Sequence, residues 1–101
     1  MEEQTGLPRH PGKQLMDDYL APLGITPEKL AHETYLMPSK IEGILDGSEV
    51  ISADIAMRLS IFLGVSAEFW LKIQNKWDLY LLRTHHQNDF ALIQHYRALE
   101  P

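Results

Sequence analysis

The sequence has no cysteine among its 101 residues. This excludes disulfide frameworks and thiolate metal sites, and it fits a reducing compartment. No apolar run approaches the roughly 20 residues that a membrane-spanning helix needs. The first residues are acidic and polar, whereas a secretory signal peptide has basic residues followed by an apolar stretch. We therefore expect a cytoplasmic protein with no membrane partner.

Basic residues are scarce, and this scarcity bears on nucleic-acid binding. The chain has 9 lysines and arginines against 14 aspartates and glutamates, which gives a net charge of −5. Residues 1–50 carry 9 acids and 4 bases, whereas residues 51–101 carry 5 of each. Because DNA binding depends largely on Lys and Arg at phosphates, the overall charge counts against it.

No residue pattern typical of catalysis or metal binding is visible. His32 and Glu33 are not followed by a second histidine at the spacing of metalloproteases. His85, His86 and His95 have no cysteine and no clear carboxylate cluster beside them in the sequence. There is no glycine-rich phosphate loop and no Gly-x-Ser-x-Gly motif. We therefore predict no enzyme activity, no cofactor and no metal site.

The sequence does contain a series of helix signals. Proline and serine or threonine stand at helix starts, glycine follows helix ends, and apolar residues recur at helical spacing between them. The predicted helices span about 11–20, 27–34, 38–46, 53–63, 67–82 and, as a last short helix, 89–99. No segment alternates at period two for long enough to be a strand. These signals predict an all-α fold of five to six helices, with a flexible arm over 1–10, a domain over 11–82 and a tail or short helix over 83–101.

Two short helices joined by a turn of about four residues, with three supporting helices, describe a helix-turn-helix domain. A recognition helix needs a narrow apolar face, because its other side chains must reach the major groove. On the third helix the apolar face consists of Ile41, Ile44 and Leu45. The residues left on its outer side are Ser39, Lys40, Glu42 and Gly43.

The most specific part of the sequence is the string G-V-S-A-E-F-W-L-K-I-Q-N-K-W-D-L, from Gly64 to Leu79. Further matching residues are His10-Pro11-Gly12, Leu30-Ala31, Pro38, Ile41, Ile44, Leu45, Gly47, Ala56 to Leu59 and Leu63-Gly64. On these residues the chain resembles the HigA-type antitoxins, within the wider group of phage-repressor-like helix-turn-helix proteins. The resemblance covers residues 10–82.

The resemblance implies a homodimer that binds a palindromic operator in its own promoter and represses it. It also implies a partner toxin, usually a ribonuclease that cuts messenger RNA on the ribosome, which the protein neutralises. The predicted DNA contacts are Thr26, Lys29, Ser39, Lys40, Glu42, Gly43 and Ser48. The fifth helix is too apolar to hide every side chain inside so small a domain, which indicates dimerisation. The predicted dimer-interface residues are Phe69, Trp70, Ile73, Trp77 and Tyr80.

The chain departs from the family pattern in ways that leave alternatives open. Relatives often have Gly where this chain has Tyr35, and a left-handed backbone there would strain a tyrosine. Residues 27–47 carry 2 lysines against 4 acids, a net charge of −2. The acidity favours, as an alternative, a helix-turn-helix interaction module that has lost DNA affinity. A stand-alone repressor without a toxin is a further alternative. The predicted toxin-binding surface is the acidic first half, including the arm, Asp17 and Asp18, because a ribonuclease must be basic to hold RNA.

Overall fold

The computed structural model describes residues 7–96, and the elements formed by these residues are all helical. Helix α1 is α-helical over Pro11–Leu15, π-helical over Met16–Leu20 and α-helical again over Ala21–Leu23. The remaining helices are α2 (Pro27–Thr34), α3 (Pro38–Asp46), α4 (Ala53–Leu63) and α5 (Ala67–His85), followed by a 3-10 turn at Gln87–Phe90. The predicted all-α fold is confirmed.

Local hydrogen bonds explain where three of the helices begin. The side-chain oxygens of Thr26, Ser52 and Ser66 each accept a hydrogen bond from the backbone N–H three residues later. Gly47 and Gly64 end α3 and α4 in the left-handed conformation that glycine adopts without strain. These starts and ends agree with the sequence predictions.

Helix α1 differs from its prediction, because it continues past Leu20 to Leu23. Pro22 has no backbone N–H, and in a regular α-helix its ring would collide with the carbonyl group of Asp18. The preceding turn is π-helical instead, with the N–H of Ala21 bonded to the carbonyl oxygen of Met16. We attribute the π-helical turn to Pro22, because the wider turn avoids the collision with the Asp18 carbonyl group and lets the helix continue to Leu23.

The core lies where the five helices meet. Its buried side chains are Leu15, Leu20, Leu30, Ala31, Ile41, Ile44, Ile51, Ile55, Ala56, Leu59 and Trp70. Helices α1 and α3 cross with their backbones in contact at Gly12, where a methyl group would overlap the carbonyl oxygen of Ile44. Glycine at this position therefore sets how closely α1 approaches the predicted recognition helix.

The chain leaves the helical packing after His85. The helix predicted over 89–99 is not formed in the part that is described, since residues 93–96 have no regular structure. Leu92, Ile93 and Tyr96 are 92%, 74% and 67% exposed. An isolated short helix is unstable without a surface to pack on, and these side chains find none. Residues 1–6 of the predicted arm and 97–101 of the predicted tail lie outside the described residues.

Candidate nucleic-acid interface

Helix α3 presents a polar side to solvent. Ile41 and Ile44 are buried in the core, as predicted for a narrow apolar face. Ser39 and Glu42 are exposed and Lys40 is half-buried on the remaining surface. Ser39 lies between Lys40 and Glu42 around the helix, so these side chains border the solvent side of α3, and their contact with a DNA groove stays a prediction.

The start of α2 provides a second polar surface. Thr26 and Lys29 are exposed there, and the Thr26 hydroxyl oxygen accepts a 3.0 Å hydrogen bond from the Lys29 N–H. In this turn Pro27 has no N–H and the Lys29 N–H is already bonded, so the attraction for an anion comes mainly from the positive end of the helix dipole. The predicted phosphate contacts thus lie where the backbone favours a phosphate, and the contacts themselves stay a prediction.

Both lysines predicted to contact DNA are paired with carboxylates of the same chain. Lys29 Nζ lies 3.9 Å from Glu33 Oε2, and Lys40 Nζ lies 3.2 Å from Glu49 Oε1. The four side chains are between 40% and 58% exposed, so neither pair adds much stability and either can open. A DNA group that binds one of these lysines must displace or share its carboxylate.

Gly43 shares the side of α3 that carries Lys40, but it is buried, whereas its predicted place on the outer side implied exposure to solvent. The loop after α3 folds back, and the N–H of Glu49 donates a 3.0 Å hydrogen bond to the Gly43 carbonyl oxygen. The side chains of Ser48 and Glu49 lie over Gly43, where a methyl group would overlap the Glu49 side chain. Helical spacing could not reveal this burial, because the covering residues come from outside the helix. Ser48 is itself exposed, and its N–H is bound to Asp46 Oδ1 at 2.9 Å.

The loop between α3 and α4 is fastened to α5 by a buried amide. Gln74 Oε1 accepts a 2.8 Å hydrogen bond from the N–H of Ile51, and Gln74 Nε2 donates to Asp78 at 2.9 Å. Since the loop is also bonded to Gly43 at its other end, both ends of the segment behind the predicted recognition helix are fixed.

His10 joins three parts of the domain, a role that the sequence predictions missed. Its Nδ1 accepts a 3.1 Å hydrogen bond from the Gly12 N–H and so caps α1. Its ring stands edge-on to Trp77 of α5, with centroids 5.5 Å apart, and lies against Gly47 at the end of α3. Burial lowers the pKa of His10, and the nearby Asp46 carboxylate partly opposes this effect. The only hint in the sequence is a histidine before Pro-Gly, at an N-cap position.

The aromatic side of α5 faces inward, which changes the predicted dimer interface. Trp70 is fully buried and stands edge-on to Tyr19 at 5.0 Å, so its assignment to a dimer interface is wrong. Its indole is enclosed by the protomer and cannot touch a second one. The other assigned residues are half-buried, and their role at an interface stays a prediction: Phe69, Ile73, Trp77 and Tyr80.

The opposite side of α5 carries an exposed apolar stripe. Leu79 and Leu82 are 45% and 39% exposed there, and Leu71 lies in line with them at helical spacing but is half-buried against the core. Glu68, Lys72, Asn75 and Lys76 border a shallow apolar groove between Leu71 and Leu79. Because α5 is apolar on two sides, its sequence does not tell which side would meet a partner, and the remaining predicted interface residues stay a prediction.

Tyr35 has the left-handed backbone that suits the glycine of relatives, with φ 58° and ψ 37°. The N–H of Leu36 bonds back to the Ala31 carbonyl oxygen at 3.0 Å, which closes the end of α2. Arg58 of α4 donates to the carbonyl oxygen of Thr34 at 2.9 Å and holds this turn from the other side. The turn thus keeps a shape suited to glycine while carrying a tyrosine.

Two features of residues 7–96 bear on other functions. No three side chains among histidine, cysteine, aspartate and glutamate are grouped so that they could hold a metal ion in that span. No helix within it is long and apolar enough to cross a membrane.

Comparison with known proteins places this geometry in a family. No protein-family model matches the sequence. Virulence-associated protein I of Dichelobacter nodosus is 39% identical over 70 residues, which are 69% of this chain and 65% of that protein, slightly less than two-thirds of its length. Antitoxin HigA-1 of Vibrio cholerae is 31% identical over 83 residues, or 82% of this chain and 78% of HigA-1.

A solved structure agrees with this likeness. Pseudomonas aeruginosa antitoxin HigA with higBA promoter DNA matches with a TM-score of 0.80 at 28% identity, covering 87% of this chain and 96% of that one. The predicted resemblance is therefore confirmed in both sequence and fold. With this helix-turn-helix DNA-binding fold, the chain belongs to the HigA-type antitoxin family.

Proposed function

We propose that the protein is a homodimeric operator-binding repressor that also neutralises a partner ribonuclease toxin in the cytoplasm. The observation that carries the DNA-binding part is the outer side of α3, where Ser39, Lys40 and Glu42 stand on a helix fixed to the core. The HigA relative whose structure includes promoter DNA supports the same function. Thr26, Lys29 and Ser48 flank this surface and would position the phosphate backbone.

Dimerisation would proceed through the exposed stripe of α5. Leu71 and Leu79 lie four residues on either side of Asn75, so a two-fold axis that crosses α5 at Asn75 would place Leu71 of each protomer against Leu79 of the other. Such symmetry would present two copies of α3 to one face of DNA, about 34 Å apart for half-sites one helical turn apart.

The dimer is tested by Leu79→Glu, with Leu92→Glu as the matched control. Leu92 is 92% exposed and lies outside the stripe. We expect Leu79→Glu to convert a dimer into a monomer in light scattering after size exclusion, because it buries a charge in an apolar interface. Leu92→Glu should stay dimeric. A dimer that survives Leu79→Glu would rule out this face of α5.

DNA binding is tested by a gel-shift titration against the protein's own upstream DNA at two salt concentrations. We expect a shifted band that weakens with salt and with Lys40→Ala. Arg83→Ala removes one exposed positive charge from the far end of α5 and should bind as the wild type does. If no shifted band appears even at low salt, the proposed repressor function is wrong, and the alternative of a module that only sequesters a partner is favoured.

That second candidate has a specific observation in its favour. Lys29 and Lys40 are each paired with a carboxylate of the same chain, and residues 27–47 carry a net charge of −2. A surface with so little free positive charge suits a basic protein better than a polyanion. In this case toxin binding would persist in variants of Lys40.

Toxin binding is proposed for the acidic half of the chain. Asp17 is paired with Lys13 at 3.0 Å, and Asp18 forms a two-pronged pair with Arg9, so a basic partner would compete with both cations. The test is capture of a basic ribonuclease encoded beside this gene by the wild type and by the double variant Asp17→Asn, Asp18→Asn. Weaker capture is expected, with Asp89→Asn as the control. Unchanged capture would move the toxin site elsewhere.

A further inference from the structure

The ion pair between Lys40 and Glu49 sits at the edge of the surface that α3 presents to DNA. Lys40 and Gly43 are three residues apart on α3 and therefore share one side of the helix. Because position 43 has no side chain, Glu49 can lie across the helix there, held by its N–H bond to the Gly43 carbonyl oxygen. Its carboxylate then reaches Lys40 Nζ at 3.2 Å. Both side chains are 42% exposed, so both partners of the pair remain accessible to a ligand.

The pair places one strong donor beside one strong acceptor. Each base pair presents such groups side by side in the major groove: G·C offers the guanine O6 acceptor next to the cytosine N4 donor. These two atoms are hydrogen-bonded to each other at about 2.9 Å, which is close to the separation of the lysine and glutamate atoms. An ammonium group facing O6 and a carboxylate facing N4 would complete a ring of four hydrogen bonds. Both the base pair and the ion pair between Lys40 and Glu49 would keep their existing bonds.

We propose that Lys40 and Glu49 act together as one reader of a G·C base pair, with Lys40 on the guanine and Glu49 on the cytosine. This inference rests on the proposed DNA binding and deepens it. It removes the conflict that the acidic surface creates, because Glu49 would accept a hydrogen bond from a base instead of only repelling phosphates. The ion pair is then part of the bound state, and DNA need not break it.

The chemistry of the other base pairs sets an order of preference. A·T and C·G invert the arrangement, since each places an amino donor where Lys40 needs an acceptor and an acceptor where Glu49 needs a donor. T·A keeps the order of acceptor and donor through thymine O4 and adenine N6, but it puts a methyl group where guanine has N7. We therefore expect G·C to bind best, T·A to be intermediate, and A·T and C·G to be weakest.

The experiment measures the affinity of the full chain for its upstream DNA and for every single-base-pair variant of the protected half-site. The wild type should show one position per half-site with the order just given, and A·T there should bind about tenfold more weakly than G·C. Glu49→Ala should reduce that difference to less than about threefold, while the preferences at all other positions remain. Thermal melting of each variant serves to verify that it is folded.

Glu33→Ala is the matched control, because Glu33 is paired with Lys29 in the same way but stands on α2. Its removal should change affinity for all sequences alike. If Glu49→Ala raises affinity uniformly and leaves every base preference unchanged, Glu49 only occupies Lys40 and the inference is wrong. If the wild type binds no DNA even at low salt, the proposed DNA binding itself fails, which the wild-type titration reports separately.

Discussion

Tyr35 carries backbone strain, because it has a positive φ without being a glycine. Its left-handed backbone costs a residue with a side chain about 1 kcal/mol, whereas glycine bears no such cost. The side chain is 88% exposed, so its removal sacrifices little packing. Tyr35→Gly should therefore raise the free energy of unfolding by about 0.5–1 kcal/mol in urea denaturation. Tyr35→Ala keeps the strained backbone and should give no such gain. If both variants raise the free energy of unfolding equally, the tyrosine ring and not the backbone is the source of the destabilisation.

His10 makes the stability of the domain depend on pH. Its neutral Nδ1 accepts the Gly12 N–H, and its folded pKa lies below the ordinary value of 6.5 because of burial. As the pH falls below 6.5, the unfolded chain therefore takes up a proton on this residue before the folded chain does. The stabilisation is complete above that pH and is lost as the pH falls through the folded pKa.

Asparagine at position 10 separates this effect from the cap itself. His10→Asn keeps an oxygen that can accept the Gly12 N–H but does not titrate. Between pH 7.5 and 5.5, we expect urea denaturation to show a larger loss of stability for the wild type than for the variant. Parallel losses would mean that other groups set the pH dependence.

At the scale of helices, the crossing of α1 and α3 depends on Gly12. A side chain there would meet the Ile44 carbonyl group and come within 2.7 Å of the Leu45 Cα, so the helices would have to separate. Gly12→Ala should lower the free energy of unfolding by about 2 kcal/mol and also weaken DNA binding, because α3 moves. Lys13→Ala changes the adjacent exposed residue and should stay within about 0.5 kcal/mol of the wild type. A stable Gly12→Ala variant would show that the crossing can relax.

Most helix boundaries were predictable, because each depends on neighbours in the sequence. The cap at Thr26 and the stop at Gly64 need only a hydroxyl and a glycine at the right offsets. The burial of Gly43 was not predictable, since the loop that covers it is positioned by tertiary contacts. The side of α5 that faces the core was also ambiguous, because Trp70 and Leu79 lie on different faces of one apolar helix.

For the whole molecule, the scarcity of basic residues predicts a shallow salt dependence. Each subunit brings Lys29 and Lys40 to the proposed surface, and each phosphate neutralised contributes about −0.9 to the slope of log affinity against log salt. A dimer should therefore give a slope between about −2 and −4, measured by anisotropy titration. Lys29→Ala should make the slope shallower by about 2 units per dimer. A slope steeper than about −6 would mean that further cations reach the DNA.

The loop after α3 is held at Gly43 and at Gln74, and neither hold uses the side chain of Lys40 or Glu49. The geometry that presents positions 40 and 49 is thus independent of which residues occupy them. If positions 40 and 49 read a base pair as proposed, new side chains there would change the operator preference without loss of the native state. Two related repressors in one genome would then need only two substitutions, at positions 40 and 49, to stop binding each other's operators, and their fold would remain the same.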